Sequence, residues 1–244
     1  MQLALLPTKA WCVCNHHLPA LTSPQAKPDL TSLGYQVSVV DYSSFETLVF
    51  ALRGIDTIIS TVTGNNQIEL IKAAISARVR RFAPAEFEGL PQLRPTTGPL
   101  DRGRAQARNW LSHYSQNIQS TTFVCGVLYE RFLPGGLRQF GIAVNSPIGL
   151  EGSYIMNCTN MYAEAPAYDS NNAPNVTICM TAARDVGRFV TLAIDMNEWP
   201  EELRMRGERV TVKNLVELAQ YLKGKMLFRD PCPVPALNSN RTTI

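Results

Sequence analysis

The chain has 244 residues, 45% of them hydrophobic, which is ample for one packed domain with a small appendage. Lys and Arg number 23 against 20 Asp and Glu, a net charge of +3 with no basic stripe, so direct nucleic-acid binding is not expected. No apolar run approaches the roughly 20 residues that cross a bilayer, so no membrane association is expected either.

The first notable stretch is Thr8–Pro19, TKAWCVCNHHLP. Cys12-x-Cys14 followed by His16-His17 lacks the separated pairs of tetrahedral zinc sites, and adjacent histidines point apart in either regular structure. No metal is expected there. Apolar character is broken by Pro7 and Lys9, which reads against a signal peptide. The three sequons at Asn157, Asn175 and Asn240 therefore read as chance matches. Cys12, Cys14, Cys125, Cys158, Cys179 and Cys232 follow no framework and read as reduced thiols of a cytoplasmic protein.

The clearest pattern covers residues 36–84. QVSVVD (Gln36–Asp41) is a β-branched run ending on an acid. Ser43 and Glu46 form a capping box that opens a helix, with Phe45, Leu48, Val49 and Leu52 at helical spacing and Gly54 where it stops. IDTIIST (Ile55–Thr61) is continuously apolar, as a strand covered on both faces should be. A second helix carries Ile68, Ile71 and Ile75 on one face, and Arg78–Pro84 brings a third strand. Strands alternating with helices over short links give an α/β fold, a Rossmann-like doubly wound parallel sheet.

Asp101–Tyr114 then reads as a helix and Thr121–Gly126 as a fourth strand. Turn residues dominate from Leu133 to Thr177, suggesting a smaller α+β C-terminal cap. TAARDVGRFVTLAID is a helix with Val186, Phe189, Val190 and Ala193 inward. The segment from Leu203 onward reads as a short strand and a helix closed by Gly224. These readings divide the chain into a nucleotide-binding domain at 1–132 (with 1–33 divergent), a cap at 133–228 with some elements returning to the main sheet, and a loose tail at 229–244.

In an open parallel sheet, ligands bind beyond the carboxyl ends of the strands. Four clusters meet that rule: Asp41-Tyr42, Thr61-Val62-Thr63-Gly64, Pro84-Ala85-Glu86-Phe87, and Cys125-Gly126 running on to Tyr129. A dinucleotide also needs a glycine-rich turn that lets backbone approach its pyrophosphate. The first glycine is Gly34, and neither Gly135-Gly136 nor Gly149/Gly152 has that spacing, so the cradle is missing from the sequence.

The run from Gly34 to Gly89, with TTFVCGVLYERFLPGG, ICMTAARDVGRFV and RMRGERVTVKNLVELA, resembles the NmrA-like, isoflavone-reductase-like group of atypical short-chain dehydrogenases over about Pro24 to Lys225. The resemblance implies a Rossmann domain, NADP(H) or NAD(H) as cofactor, and a small-molecule substrate at the cap. Asp41, Tyr42, Thr61, Val62, Thr63, Pro84, Ala85, Glu86, Phe87, Cys125 and Gly126 would be the cofactor-binding positions. Gln36–Asp41 then matches the family's third strand, although the first two would need about 50 residues and only 35 precede Gln36. The chain is accordingly expected to be shortened or altered at both ends. Arg104 stands near the family's catalytic lysine, and an arginine can polarise a carbonyl but not release a proton at usable pH. Ala85 replaces the family's serine.

Other groups carry two readings each. Tyr129 is a catalytic candidate or a half-buried packing residue, and Asp41 contacts ligand, caps the next helix, or does both. Glu86 and Glu130 serve as acid or base groups, or more commonly as solvated or paired carboxylates. Tyr221 and Lys225 form a Tyr-x-x-x-Lys pair, but on the last helix and away from the strand ends; His113 has no nucleophile placed beside it. The expected function is an NAD(P)-binding protein of oxidoreductase lineage, reducing a small aromatic or unsaturated substrate weakly or not at all. The alternatives are a nicotinamide-nucleotide sensor that binds a partner protein, and a truncated, non-functional member.

Overall fold

The computed structural model describes residues 3–5, 19–22, 36–94, 96, 101–143, 147–224 and 227–229. The chain begins with β1 (Leu3–Leu5), β2 (Pro19–Thr22) and β3 (Gln36–Val39). Helix α1 (Phe45–Ala51), β4 (Thr57–Ile59), α2 (Asn65–Ser76), β5 (Arg81–Ala83) and α3 (Arg104–His113) follow. Next come β6 (Gln119–Ser120), β7 (Thr122–Val124), β8 (Val127–Leu128) and the short α4 (Gly136–Gln139). The last part holds β9 (Met156–Asn157), β10 (Tyr162–Glu164), β11 (Thr177–Thr181), α5 (Ala183–Ile194), β12 (Glu202–Arg204), β13 (Glu208–Thr211), α6 (Val212–Lys223) and β14 (Leu227–Arg229).

The main sheet is parallel, in the order β3-β2-β1-β4-β5-β6. Gln36–Val39 is thus the third strand, and both earlier strands fit within the 35 residues before it. Residues 6–18 join β1 to β2, which is feasible because a parallel crossover can be closed by about a dozen residues. Only Thr121 separates β6 from β7; β6 pairs with β5, and β7 pairs with β12 on its other side. Two smaller sheets complete the fold, β13-β11-β8 and β14-β10-β9.

Register sorts the side chains to the two faces. Ile58 on β4 and Phe82 on β5 are partners and pack with Leu48, Leu52, Ile68, Ile71, Ala107 and Leu111 of α1, α2 and α3. Their neighbours Ile59 and Ala83 point the other way, to Val186, Val190, Ala193 and Ile194 of α5 and to Trp199. This is the two-sided burial that the unbroken apolar run of β4 implies. A third cluster joins Met156, Ala163, Ile178, Met180, Val212 and Val216 of β9, β10, β11 and α6.

Three local expectations shift. The N-cap of α1 is Ser44, whose hydroxyl accepts from the Thr47 amide at 3.4 Å, and not Ser43. Ser43 is turned back onto Asp41, donating from its amide (2.9 Å) and hydroxyl (2.6 Å) to Oδ1, so the expected box opens one residue late. Phe189, expected inward, is exposed, as is Phe45 at the start of α1. The buried stripe of α5 runs through Ala183, Val186, Gly187, Val190, Ala193 and Ile194, which leaves Phe189 at its edge. Finally, the single strand expected after Leu203 is two, β12 and β13, in different sheets.

Arg81 lies in the middle of this packing, 2% exposed. Its guanidinium donates to the carbonyls of Ile194 (3.1 Å), Met196 (2.7 Å) and Asn197 (2.7 Å), and sits 5.2 Å from the Trp199 ring centroid. It caps the carboxyl end of α5, where orphan carbonyls and the helix dipole favour a cation. Burial pulls its pKa below the ordinary arginine value.

Candidate functional site

The direction of the sheet changes at β1, which has β2 on one side and β4 on the other, so the crevice opens beyond Leu5 and Ile59. On the β4 side, Ser60 to Thr63 lead into α2, whose N-cap is Gly64 with φ +72°. No side chain caps this helix, and nothing lies within 4 Å of where a Gly64 Cβ would stand. Thr61, Val62 and Thr63 are half-buried around it. The equivalent turn after β1, with the Cys12–His17 stretch, lies outside the described residues.

At the end of β3, Asp41 is exposed, and its Ser43 hydrogen bonds hold its carboxyl below the ordinary range. It therefore shapes the turn into α1 whatever else it does. Tyr42 is buried, its hydroxyl has no partner among the described residues, and desolvation raises its pKa.

Beyond β5 the chain builds a dense polar corner. Pro84, Ala85 and Glu86 are buried. The Ala85 amide donates to Gln67 Oε1 of α2 at 2.7 Å, while Gln67 Nε2, also buried, has no described partner. Phe87 stacks on Phe123 at 5.7 Å. Glu86 is fully buried and takes one arginine on each oxygen, Arg94 on Oε2 and Arg108 on Oε1. Arg104 forks onto Glu88, Nη1 to Oε2 and Nη2 to Oε1, both at 2.7 Å; Arg102 (3.1 Å) and Arg94 (3.4 Å) join the same carboxylate.

The fourth cluster faces inward. The Cys125 and Gly126 amides both donate to the Glu88 carbonyl, at 3.0 and 3.2 Å, and the Cys125 carbonyl accepts from Thr181 Oγ1 at 2.7 Å. Burial, with Glu88 nearby, pushes the Cys125 thiol up to about 12. Gly126 has φ +71°, and a Cβ there would stand 2.2 Å from the Cys179 carbonyl oxygen. Tyr129 donates from its hydroxyl to Glu208 Oε2 at 3.3 Å, and desolvation with that carboxylate raises its pKa. Glu130 accepts from the Ala183 amide at 2.9 and 3.0 Å and so caps α5.

The sequence-predicted positions thus gather at the strand ends, but their polar groups are unevenly free. Arg104 and Glu86 are engaged in ion pairs, Glu130 in helix capping, and Cys125-Gly126 in the junction between β7 and β5. Tyr221, on α6, is 86% exposed, and Lys225 lies outside the described residues. Gln67 was missed; it occupies a helical slot that reads as a polar outer position, and only the approach of the β5 turn turns it inward. Among the described residues no group of three or more His, Cys, Asp or Glu comes together, and no helix is long and apolar enough to cross a membrane.

A six-strand parallel sheet in this order, with helices on both faces, defines a Rossmann-type dinucleotide-binding fold. Comparison with solved structures narrows it. AtPrR2, solved with NADP+ and (+)pinoresinol, matches with a TM-score of 0.68 at 18% identity, covering 94% of this chain and 78% of that one. The leucoanthocyanidin reductase–NADPH complex of Vitis vinifera matches at 0.69 and 16%, covering 94% and 78%. An isoflavone reductase matches at 0.67 and 19%, covering 94% and 79%. The likeness to the NmrA-like, isoflavone-reductase-like group expected from the sequence therefore holds for the fold. Oxidoreductase BOA1 of Botryotinia fuckeliana is 24% identical over 211 residues, 81% of this chain and 60% of its own length. The chain thus spans about three fifths of the curated relative it matches. No protein-family model matches it.

Proposed function

We propose that the chain binds NADP(H) or NAD(H) across the β1/β4 reversal and acts as a reductase of a small aromatic or unsaturated substrate at the β5 corner. The observation that carries this reading is the start of α2, which no side chain caps, with the buried Gln67 Nε2 of its first turn lacking a described partner; the Gly64 amide itself goes to the Arg102 carbonyl. A helix N-terminus with free amides favours phosphate, and an unpaired buried amide costs about 1–3 kcal/mol unless a ligand meets it. The residues present fit a nicotinamide nucleotide at this part of the crevice.

Asp41 and Tyr42 would hold the adenosine end, Thr61, Val62 and Thr63 the middle, and Pro84, Ala85, Glu86 and Phe87 the nicotinamide end. Cys125 and Gly126 contribute shape only, because their polar atoms are engaged. When bound, the reduced cofactor supplies a hydride. The chain's own part is to orient and to exclude water, through Phe87 stacked on Phe123 beside the buried Glu86. Tyr129 would be the proton donor, its phenol protonated at neutral pH and its hydroxyl held by Glu208 until substrate binds. Arg104 holds Glu88 and releases no proton.

That engagement of Arg104 favours a second reading, a nucleotide sensor that binds without turnover and signals to a partner protein. The scattered cysteines support action in the cytoplasm for either. Thermal shift with NADPH tests the shared premise: at a hundred times its dissociation constant the ligand adds about 2.7 kcal/mol, or roughly 5–11 °C in a chain of this size. No shift with either NADPH or NADH refutes both readings. A shift with oxidation of the nucleotide by a panel of unsaturated aromatic substrates supports the reductase; a shift without oxidation supports the sensor.

A further inference from the structure

The corner beyond β5 carries more positive charge than its carboxylates balance. Arg94, Arg102, Arg104 and Arg108 surround Glu86 and Glu88. Asp101, the next acid along the chain, accepts from the Ala105 amide at 3.1 and 3.3 Å, and even with its charge counted the four arginines outnumber the three carboxylates. Residues 95–100, between Arg94 and Asp101, include no acid. Arg131, from the cap side, also feels the Glu88 charge while burial pulls its own pKa down.

The positive ends of two helices add to this excess. The Gly64 amide at the start of α2 donates to the Arg102 carbonyl at 2.8 Å, and a Gly103 Cβ at the start of α3 would stand 3.2 Å from Gly64 Cα. The arginines also keep donors in reserve. The Nε atoms of Arg94, Arg102 and Arg104 are buried and have no partner among the described residues, and the Arg104 side chain is only 3% exposed. A buried guanidinium with an unmet N–H and a net positive surround is stabilised by one more anion, and a carboxylate oxygen can accept from such an Nε.

We propose that Arg94, Arg102, Arg104 and Arg108, held around Glu86 and Glu88 where α2 and α3 begin, form an anion subsite that takes a carboxylate of the substrate. This rests on the reductase reading for the word substrate, but the binding itself does not.

The test uses the full chain, calorimetry, and cinnamate as the probe, with its uncharged methyl ester and inorganic phosphate as comparisons. Cinnamate should bind, its ester much more weakly, and phosphate should compete with cinnamate. Arg102→Gln should weaken cinnamate by about tenfold, as loss of a charged hydrogen-bond partner does. Arg102→Lys, which keeps the charge on the same backbone, should retain most of the affinity and separates charge from folding if the Gln variant melts early. Absence of cinnamate binding, equal binding of the ester, or an unchanged affinity in Arg102→Gln overturns the proposal. So does displacement of cinnamate by NADPH, which would give these arginines to a nucleotide phosphate. NADPH binding without cinnamate binding sinks the subsite and spares the reductase reading; cinnamate binding without NADPH binding does the reverse.

Discussion

Replacing Arg81 by methionine isolates the role of a charged residue buried in a strand. Methionine fills much of the stem and stays against Trp199, but three carbonyls at the end of α5 lose their donor. Met196 and Asn197 lie in an exposed turn, so water takes over their carbonyls at little cost. Ile194 is 7% exposed and its carbonyl is left dry, a loss of about 1.5–3 kcal/mol for a bond to a charged donor. Removing the cation from the helix end adds roughly 0.5–1 kcal/mol. The sum, about 3 kcal/mol, lowers the melting temperature by roughly 6–12 °C at this chain length. Scanning calorimetry reads the shift, and Trp199 fluorescence reports local loosening. Arg81→Lys should recover only part of the loss, because one ammonium does not match the guanidinium fork. A loss under about 1 kcal/mol for the methionine variant, or full recovery with lysine, would refute the capping argument.

Further outcomes follow from the same geometry. Gly126→Ala should destabilise by more than about 3 kcal/mol or leave the chain insoluble, since it adds left-handed strain to a collision with the Cys179 carbonyl; a soluble variant melting within a degree or two of the parent would count against it. Asp56, gripped by Arg80 at 2.8 Å on both oxygens and held below the ordinary carboxylate range, contributes stability that is present above its unfolded value and lost as pH falls through its folded one. Asp56→Asn should therefore cost about 0.5–1 kcal/mol near neutral pH, with the difference from the parent closing below about pH 4 in urea unfolding; a pH-independent difference refutes the assignment. Cys125, with its thiol pushed up to about 12, should resist alkylation in the native chain near neutral pH and react once unfolded, as peptide mass spectrometry would show.

The α/β alternation was legible because each strand and helix carries its own local signal. The continuous apolar run at Ile55–Thr61 and the Ile68/Ile71/Ile75 spacing were enough to place β4 and α2. Strand ends were legible too, because parallel sheets put their turns at one edge. Pairing was not: nothing local in ELR or ERVT says that β12 joins β7 while β13 joins β11. The site followed the same division. Position along the chain predicted that Glu86 and Arg104 would stand at the crevice, but their partners come from a loop and a helix turn 8 to 22 residues away. Arg81 gave even less signal, because an arginine between apolar residues in a strand looks like an outward side chain until a helix end from residue 194 meets it.

The run from Gln119 to Leu128 feeds three sheets in ten residues: β6 the main sheet, β7 the edge with β12, and β8 the pair with β11. A fragment stopped at residue 132, where the sequence suggested a domain border, would keep all three strands while losing the mates of two. Bare strand edges beside an uncovered apolar face invite pairing with other chains. Such a piece would therefore be a poor soluble cofactor domain and a good seed for aggregation, so recombination or splitting of this fold is better tolerated elsewhere than at the border the sequence suggested.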